Sequence, residues 1–400
     1  MPTFYSFIND GNSYNFDDIF IHVDYFTFGN LSSWGVNNYG QLGLNNLDPK
    51  NTPTKVYYNL NNWKKVSAGK NFASAITSDG ILLVWGLGSN GEMGNGTTSN
   101  SSIPLVLPPQ SSPSLPANFV DVSCGESHIG AVKSDGSIWM WGRNQFYQLG
   151  NGNTNTSLNP IQLPSTNFSN AAGAYIWRKI SCGYNYCFAI SNIDQLWCWG
   201  DNQYGQLGSG SFTNIQRPSL VSNLDKWNSI SCGKSNTVGI KIDRSLHATG
   251  DNTYGQLGTG NLTNTTSFIR VGTDNDWKQV SCGENHTIAI KTNGTMWAWG
   301  NNDSGQLGFG VGIASTSTPI QIGSDINWKQ VSCGSSGSSA IKTDGSLWSW
   351  GLNNSDQLGL GSGESDVIYL PTKIGTDYDW KQVDTKDSNF YAIKYNTSYI

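Results

Sequence analysis

Apolar and polar residues alternate with period two on both sides of an Asn-Gly pair in Val280-Ser281-Cys282-Gly283-Glu284-Asn285-His286-Thr287-Ile288-Ala289-Ile290-Lys291-Thr292-Asn293-Gly294-Thr295-Met296-Trp297-Ala298-Trp299-Gly300. Period two is the spacing of a half-buried β-strand, and Asn-Gly or Asp-Gly between two such runs signals a hairpin. Two strands of about five residues joined by a type I′ turn are therefore predicted. Asp79-Gly80, Asp135-Gly136 and Asp344-Gly345 occupy the same turn slot, whereas Ile193-Asp194 and Asp243-Arg244 fill it less comfortably. A type I′ turn asks for positive φ, which those side chains disfavour.

This hairpin recurs along the chain. Its first strand carries a slot held by Ala68, Cys124, Cys182, Cys232, Cys282, Cys333 and Thr385, mostly within Ser-Cys-Gly. Its second strand ends at Gly35, Gly86, Gly142, Gly200, Gly250, Gly300 and Gly351, preceded by Trp everywhere except Thr249. From Ala68 to Gly86, and from each Cys to the next of these glycines, the separation is 18 residues. The stretch back to the next Cys varies, so one half of the repeat is rigid and the other absorbs insertions.

The variable half opens with Asn-x-x-Gly-Gln-Leu-Gly, at Asn37–Gly43, Asn202–Gly208, Asn252–Gly258 and Asn302–Gly308. Tyr147 and Asp356 replace its first glycine, and Asn90-Gly91-Glu92-Met93-Gly94 is a looser copy. The glycines supply turn conformations and the Leu is expected to plug the interior. A short strand with Pro53, Pro104, Pro160, Pro218, Pro319 or Pro371 follows. Proline lacks the ladder N–H, so that strand belongs at a sheet edge. All 16 tryptophans fall on three repeat positions, which is the regularity of core packing and not of a binding site.

Four short strands per unit of about 50 residues, without helical periodicity, describe a propeller blade. Seven landmarks of each kind predict an all-β, seven-bladed β-propeller over residues 24–400, preceded by an aromatic-rich extension at 1–23. The chain enters in mid-repeat, with Phe26–Gly35 matching only the second hairpin strand, and leaves in mid-repeat, with Val383–Ile393 matching only the first. The two ends are expected to share one blade and close the ring, leaving no unpaired edge at the join.

These units resemble the repeat of the regulator of chromosome condensation family, over residues of about 24–395. The resemblance implies a seven-bladed propeller. It leaves function open, because the family includes a guanine-nucleotide exchange factor for the GTPase Ran that also binds nucleosomes, and scaffolds, ubiquitin-ligase domains and effectors.

Composition narrows the choice. Charged residues are 13% against a typical figure of about 25%, while 37% hydrophobic and 12% aromatic residues suffice for a large core. No run approaches 18 apolar residues and no secretory leader is visible, so neither a membrane span nor a membrane partner is expected. Net charge is -5 and the first Lys or Arg is Lys50, which argues against nucleic acid as a partner. The 7 cysteines are too sparse for a disulfide scaffold and fit an intracellular, cytoplasmic setting, with a virion component as the other option. Abundant Asn with Ile, Tyr and Phe suggests an A+T-rich genome such as that of an amoeba or a giant virus.

No nucleophile elbow, phosphate loop or paired-carboxylate constellation is present, so no enzyme and no cofactor are expected. Zinc signatures pair cysteines two to four residues apart and none are so spaced, so no metal is expected either. His128 and His286 share one slot and are read as structural hydrogen-bonding groups, and Cys187 and Cys198 as diagonal neighbours on one hairpin.

The expected function is a non-catalytic protein-interaction scaffold. Its longest excursions, Leu107–Pro116 and Leu163–Ile176, lie on neighbouring blades and should project together. Leu107, Pro108, Pro109, Leu115, Leu163, Tyr175 and Ile176 are the candidate partner-binding residues. One alternative is exchange on a small GTPase, with the 163–176 excursion as a wedge. Another is self-assembly with further copies of the chain through an arm bearing Phe4, Tyr5, Phe7, Phe16 and Phe20.

Overall fold

A computed structural model describes residues 29–107, 118–164, 176–222 and 224–395 of the chain. Its 28 strands form seven antiparallel four-stranded sheets arranged as a propeller. Blade one is β3 (Trp63–Ala68), β4 (Phe72–Thr77), β5 (Leu82–Gly86) and β6 (Ser101–Leu107). Blades two to six repeat the order from β7 (Phe119–Cys124) to β26 (Val367–Lys373). Blade seven takes its two inner strands, β27 (Trp380–Lys386) and β28 (Asn389–Tyr395), from the end of the chain. Its outer strands, β1 (Gly29–Gly35) and β2 (Lys50–Lys55), come from the beginning. β1 pairs with β28 from Gly29↔Tyr395 to Gly35↔Asn389, so the predicted composite blade is formed. Each blade keeps a free outer edge, and those outer strands carry the prolines, including Pro53, Pro218 and Pro371.

The hairpin turn departs from the expected type I′. Gly80 N–H donates to Thr77 O at 3.0 Å and Thr77 N–H to Ile81 O at 2.9 Å, with only Gly80 at positive φ (79°). This is a type I turn closed by a left-handed residue in a bulge, which needs one positive φ and not two. Asp194 (φ 64°) and Arg244 (φ 63°) occupy that left-handed place without being glycine. The two uncomfortable turns anticipated from sequence are therefore strained at one residue each.

The repeat motifs bind one another across blade boundaries. The indole N–H of Trp85 donates to Gln41 O at 2.8 Å, and Trp141, Trp199, Trp299 and Trp350 do the same to the preceding blade's loop at 2.9 Å. The last glycine of Asn-x-x-Gly-Gln-Leu-Gly lies under that ring, and a Cβ on Gly43 would sit 2.9 Å from the Trp85 nitrogen. Leu42, Leu149, Leu207, Leu257, Leu307 and Leu358 are fully buried plugs, with Met93 in the same slot. The motif's Asn folds the loop: Asn37 Oδ1 accepts the Leu42 N–H at 3.0 Å, and Nδ2 donates to Asn46 O and Asp48 O.

One tier of tryptophans packs at the margin of the core. Trp139, Trp297 and Trp348 are half-buried, and lysines lie over their faces, as Lys342 does 4.1 Å from the Trp348 centroid and 4.6 Å from Trp328. No helix among the described residues is long and apolar enough to cross a membrane.

Candidate interaction surface and central channel

The antiparallel order of each blade sends its loops to two faces. One face carries the turns between the two inner strands and the Asn-x-x-Gly-Gln-Leu-Gly loops. The other carries the hairpin turns and the connections from one blade to the next. Asn118 N–H donates to Gly80 O, and Trp177 N–H to Gly136 O, which fixes the connections after β6 and β10 (Ser157–Gln162) beside hairpin turns. In blade seven the corresponding turn is replaced by the two ends of the pairing, Gly29 and Tyr395. The chain's two longest insertions, between Leu107 and Asn118 and between Pro164 and Ile176, thus leave and rejoin the described residues on this second face.

The candidate residues divide there. Leu107 and Leu163 are each 3% exposed and belong to the hydrophobic cores of blades one and two, so they are not partner-binding residues. Their position explains it: Leu107 pairs with Leu82 as the last residue of an outer strand, and Leu163 N–H donates to Ile138 O at 3.0 Å. Ile176 is 51% exposed, just before β11 (Trp177–Cys182). Pro108, Pro109, Leu115 and Tyr175, and the arm residues Phe4, Tyr5, Phe7, Phe16 and Phe20, lie outside the described residues.

Ile176 is a candidate from sequence, but the residues that gather around it are not. Asn192 N–H donates to Ile176 O at 2.7 Å, which brings the hairpin turn with exposed Ile193 alongside. Lys226 Nζ donates to Ile193 O at 2.7 Å, and Ile242 N–H to Lys226 O, which adds exposed Ile242 on the next blade. Leu224, 92% exposed, completes an aliphatic arc over blades three and four. A signal was available: Ile242 stands where other blades carry Ser, Thr or Asn, and Ile193 where they carry the Asp or Asn of the turn.

The channel between the blades is held by a ring of clasps. The Ser of Ser-Cys-Gly accepts the Cys N–H of the next blade: Ser67 from Cys124 (3.0 Å), Ser123 from Cys182 (2.9 Å), Ser231 from Cys282 (2.9 Å) and Ser281 from Cys333 (3.0 Å). Three glutamines add two-point bonds between neighbouring inner strands, such as Gln330 with the N–H and C=O of Val383. A cavity of about 120 Å³ lies within this Ser and Cys ring. Lys386 occupies the glycine slot of the last repeat and crosses the channel, its Nζ donating to Cys124 O at 2.9 Å. Tyr184 reaches over the same mouth to Ser335 at 3.2 Å.

The histidine slot makes buried hydrogen bonds across the blade boundary, as read from sequence. His286 Nε2 meets Ser338 Oγ at 3.0 Å and His128 Nε2 meets Cys187 Sγ at 3.1 Å, both fully buried. Burial pushes the His286 pKa down to about 3. All 7 cysteines are free, and Cys187 faces Trp199 while Cys198 faces Phe188, the diagonal arrangement expected. Sequence spacing missed that Cys187 lies opposite Cys182, with sulfurs 3.3 Å apart. Burial pushes the Cys124, Cys282 and Cys333 thiols up to about 12. At Cys182 burial also acts upward, but hydrogen bonds from Cys187 and His128 outweigh it and hold the thiol well below its ordinary range. Cys187 moves up correspondingly.

Comparisons with known proteins agree with this architecture. The model of the regulator of chromosome condensation (RCC1) repeat matches residues 29–76 and 79–132, and that of the RCC1-like domain matches 108–390. The ultraviolet-B receptor UVR8 of Arabidopsis thaliana is 30% identical over 194 residues, 48% of this chain and 41% of that protein. The human E3 ubiquitin-protein ligase HERC2 is 27% identical over 200 residues, 49% of this chain and 4% of that protein. The chain thus spans less than half the length of these curated relatives. Yeast RCC1 (Prp20), solved with Kap60, superposes with a TM-score of 0.82 at 19% identity, covering 100% of this chain and 97% of that one. Human WBSCR16 superposes with a TM-score of 0.80 at 16% identity, covering 92% and 99%. With the domain model spanning most of a ring built from seven such repeats, the chain belongs to the RCC1-like domain family.

Proposed function

We propose that this propeller is a non-catalytic platform that binds a protein partner with its hairpin-turn face. One observation carries the reading: the two longest insertions into an otherwise regular repeat leave and rejoin the described chain on that face, beside the exposed arc of Ile176, Ile193, Leu224 and Ile242. Regular loops serve the fold, whereas loops released from the repeat on a rigid scaffold are free to serve recognition. Contiguous exposed aliphatic residues on a soluble domain mark contact surfaces. The Saccharomyces cerevisiae Prp20p structure is described with binding to Gsp1p and histones, which supports a protein as the kind of partner.

The test compares proteins captured by the full chain with those captured by an Ile176→Asp, Ile193→Asp variant of unchanged melting temperature. Loss of specific partners from the variant is expected. Retention of all of them would overturn the assignment of this face. Nucleotide release from candidate GTPases, with and without the chain, separates a platform from an exchange factor. Acceleration of release would replace the platform reading.

A further inference from the structure

The repeat provides an internal comparison at each blade boundary. A residue four positions after the Cys slot of one blade meets the pair formed by the next blade's Cys slot and the residue opposite it. Between blades five and six these are His286, Cys333 and Ser338, and between blades three and four Tyr186, Cys232 and Thr237. Between blades two and three they are His128, Cys182 and Cys187. Only here, among the described residues, do an imidazole and two thiols converge, with their ligating atoms all within 4.8 Å of one another.

We propose that His128, Cys182 and Cys187 form a binding site for a thiophilic divalent cation, Zn(II), at this blade boundary. Zn–S bonds of about 2.3 Å and a Zn–N bond of about 2.0–2.1 Å in a tetrahedron hold ligand atoms about 3.5–3.8 Å apart. The Nε2 to Sγ distance of 3.1 Å and the Sγ to Sγ distance of 3.3 Å reach that range by shifts of a few tenths of an ångström. Nε2 makes the only polar contact of the His128 ring, since Nδ1 has no hydrogen-bond partner. Cys182 also lines the central cavity, which gives the ion a route in and leaves a fourth position for water. Three protein ligands with one open position is an established zinc arrangement. The sequence rule of closely spaced cysteine pairs does not see this set, because the third ligand comes from another blade.

The experiment titrates Zn(II) alone into the reduced full chain against a chromophoric chelator, and repeats it with Co(II) to read thiolate-to-metal absorption. One equivalent is expected, with a two-thiolate Co(II) spectrum. Cys187→Ser puts into this slot the residue that Ser338 supplies elsewhere, so the fold is retained. It should weaken uptake by more than the roughly 10–100-fold that losing a supporting residue costs. Ser338→Cys should create a second equivalent at His286 and Cys333. No uptake by the reduced chain, or uptake untouched by Cys187→Ser, overturns the site. A stoichiometry that stays at one in Ser338→Cys overturns the claim that these three residues suffice.

Discussion

Asp384 Oδ2 accepts the backbone N–H of Ala68 at 2.7 Å, joining the last inner strand of the chain to the first. It is the same clasp that serine makes at five other boundaries, with a carboxylate in the serine slot where the ring closes. Asp384 is half-buried at the wall of the central cavity, and desolvation there raises its pKa above the ordinary carboxylate value. A raised carboxylate pKa means that the folded state holds its proton more tightly than the unfolded chain. This group therefore costs stability as pH rises through its folded pKa, and returns it as pH falls. Asp384→Ser should keep the clasp without the buried charge and melt at or above wild type at pH 7. Asp384→Ala leaves the Ala68 N–H without an acceptor and should cost about 1–3 kcal/mol. Thermal unfolding of the two variants distinguishes the cases, and equal melting would refute the clasp.

The same sign reasoning gives an opposite result at His286. Its folded pKa of about 3 lies below the ordinary 6.5, so the unfolded chain takes up a proton that the folded chain refuses. Stability is full above 6.5 and is lost as pH falls towards 3, by about 2 kcal/mol at pH 5. His286→Asn, which copies Asn236 in the same slot, should flatten that slope between pH 6.5 and 4. Parallel pH profiles for variant and wild type would remove His286 as its source.

The architecture was legible because each motif is used seven times, and its spacing survives whatever the individual residues do. The composite blade followed from counting, since Phe26–Gly35 and Val383–Ile393 each lacked what the other had. Residue-level function was much less legible. Leu107 and Leu163 looked like loop residues because the insertions begin beside them, yet each still completes the core of its outer strand. The His128, Cys182 and Cys187 cluster depends on which blades are neighbours, and no window along the chain contains all three with any recognised spacing. The Ile176 and Ile193 arc depends on backbone pairing between a connection and a turn.

Arg244 holds a left-handed conformation (φ 63°) where the hairpin turns of four other blades place glycine. The conformation costs a side chain about 1–2 kcal/mol, and the greater freedom of glycine in the unfolded chain gives back about 0.5–1 kcal/mol of that advantage. Arg244→Gly keeps both turn bonds, since Arg244 N–H donates to Lys241 O and its own C=O accepts from Trp277. A net gain of about 0.5–1 kcal/mol is expected in denaturant unfolding. A loss would mean that the arginine side chain stabilises the turn by more than its backbone strain.

Blade four carries a compensated exchange. At two other boundaries the last glycine of this loop meets the next blade's Trp together with an outer-strand proline: Gly150 meets Trp199 and Pro218, and Gly308 meets Trp350 and Pro371. At Gly208 the neighbours are Thr249 and Phe268, so the aromatic ring enters from the outer strand in place of the inner one. Phe268 packs 4.7 Å from the Trp227 ring, and Thr249 Oγ1 donates to Gly205 O at 2.9 Å, much as the indole N–H donates into this loop in other blades. Thr249→Trp alone has to displace Phe268 and should destabilise the fold by about 1–3 kcal/mol. Phe268→Pro alone empties the aromatic site and should cost about 3–5 kcal/mol. The double variant restores the arrangement seen at Gly150 and Gly308, and should show a favourable coupling of about 3 kcal/mol, the upper end of the range for contacting residues. Denaturant unfolding of all four chains measures that coupling. Simple additivity would show that the two aromatics are not filling one shared space.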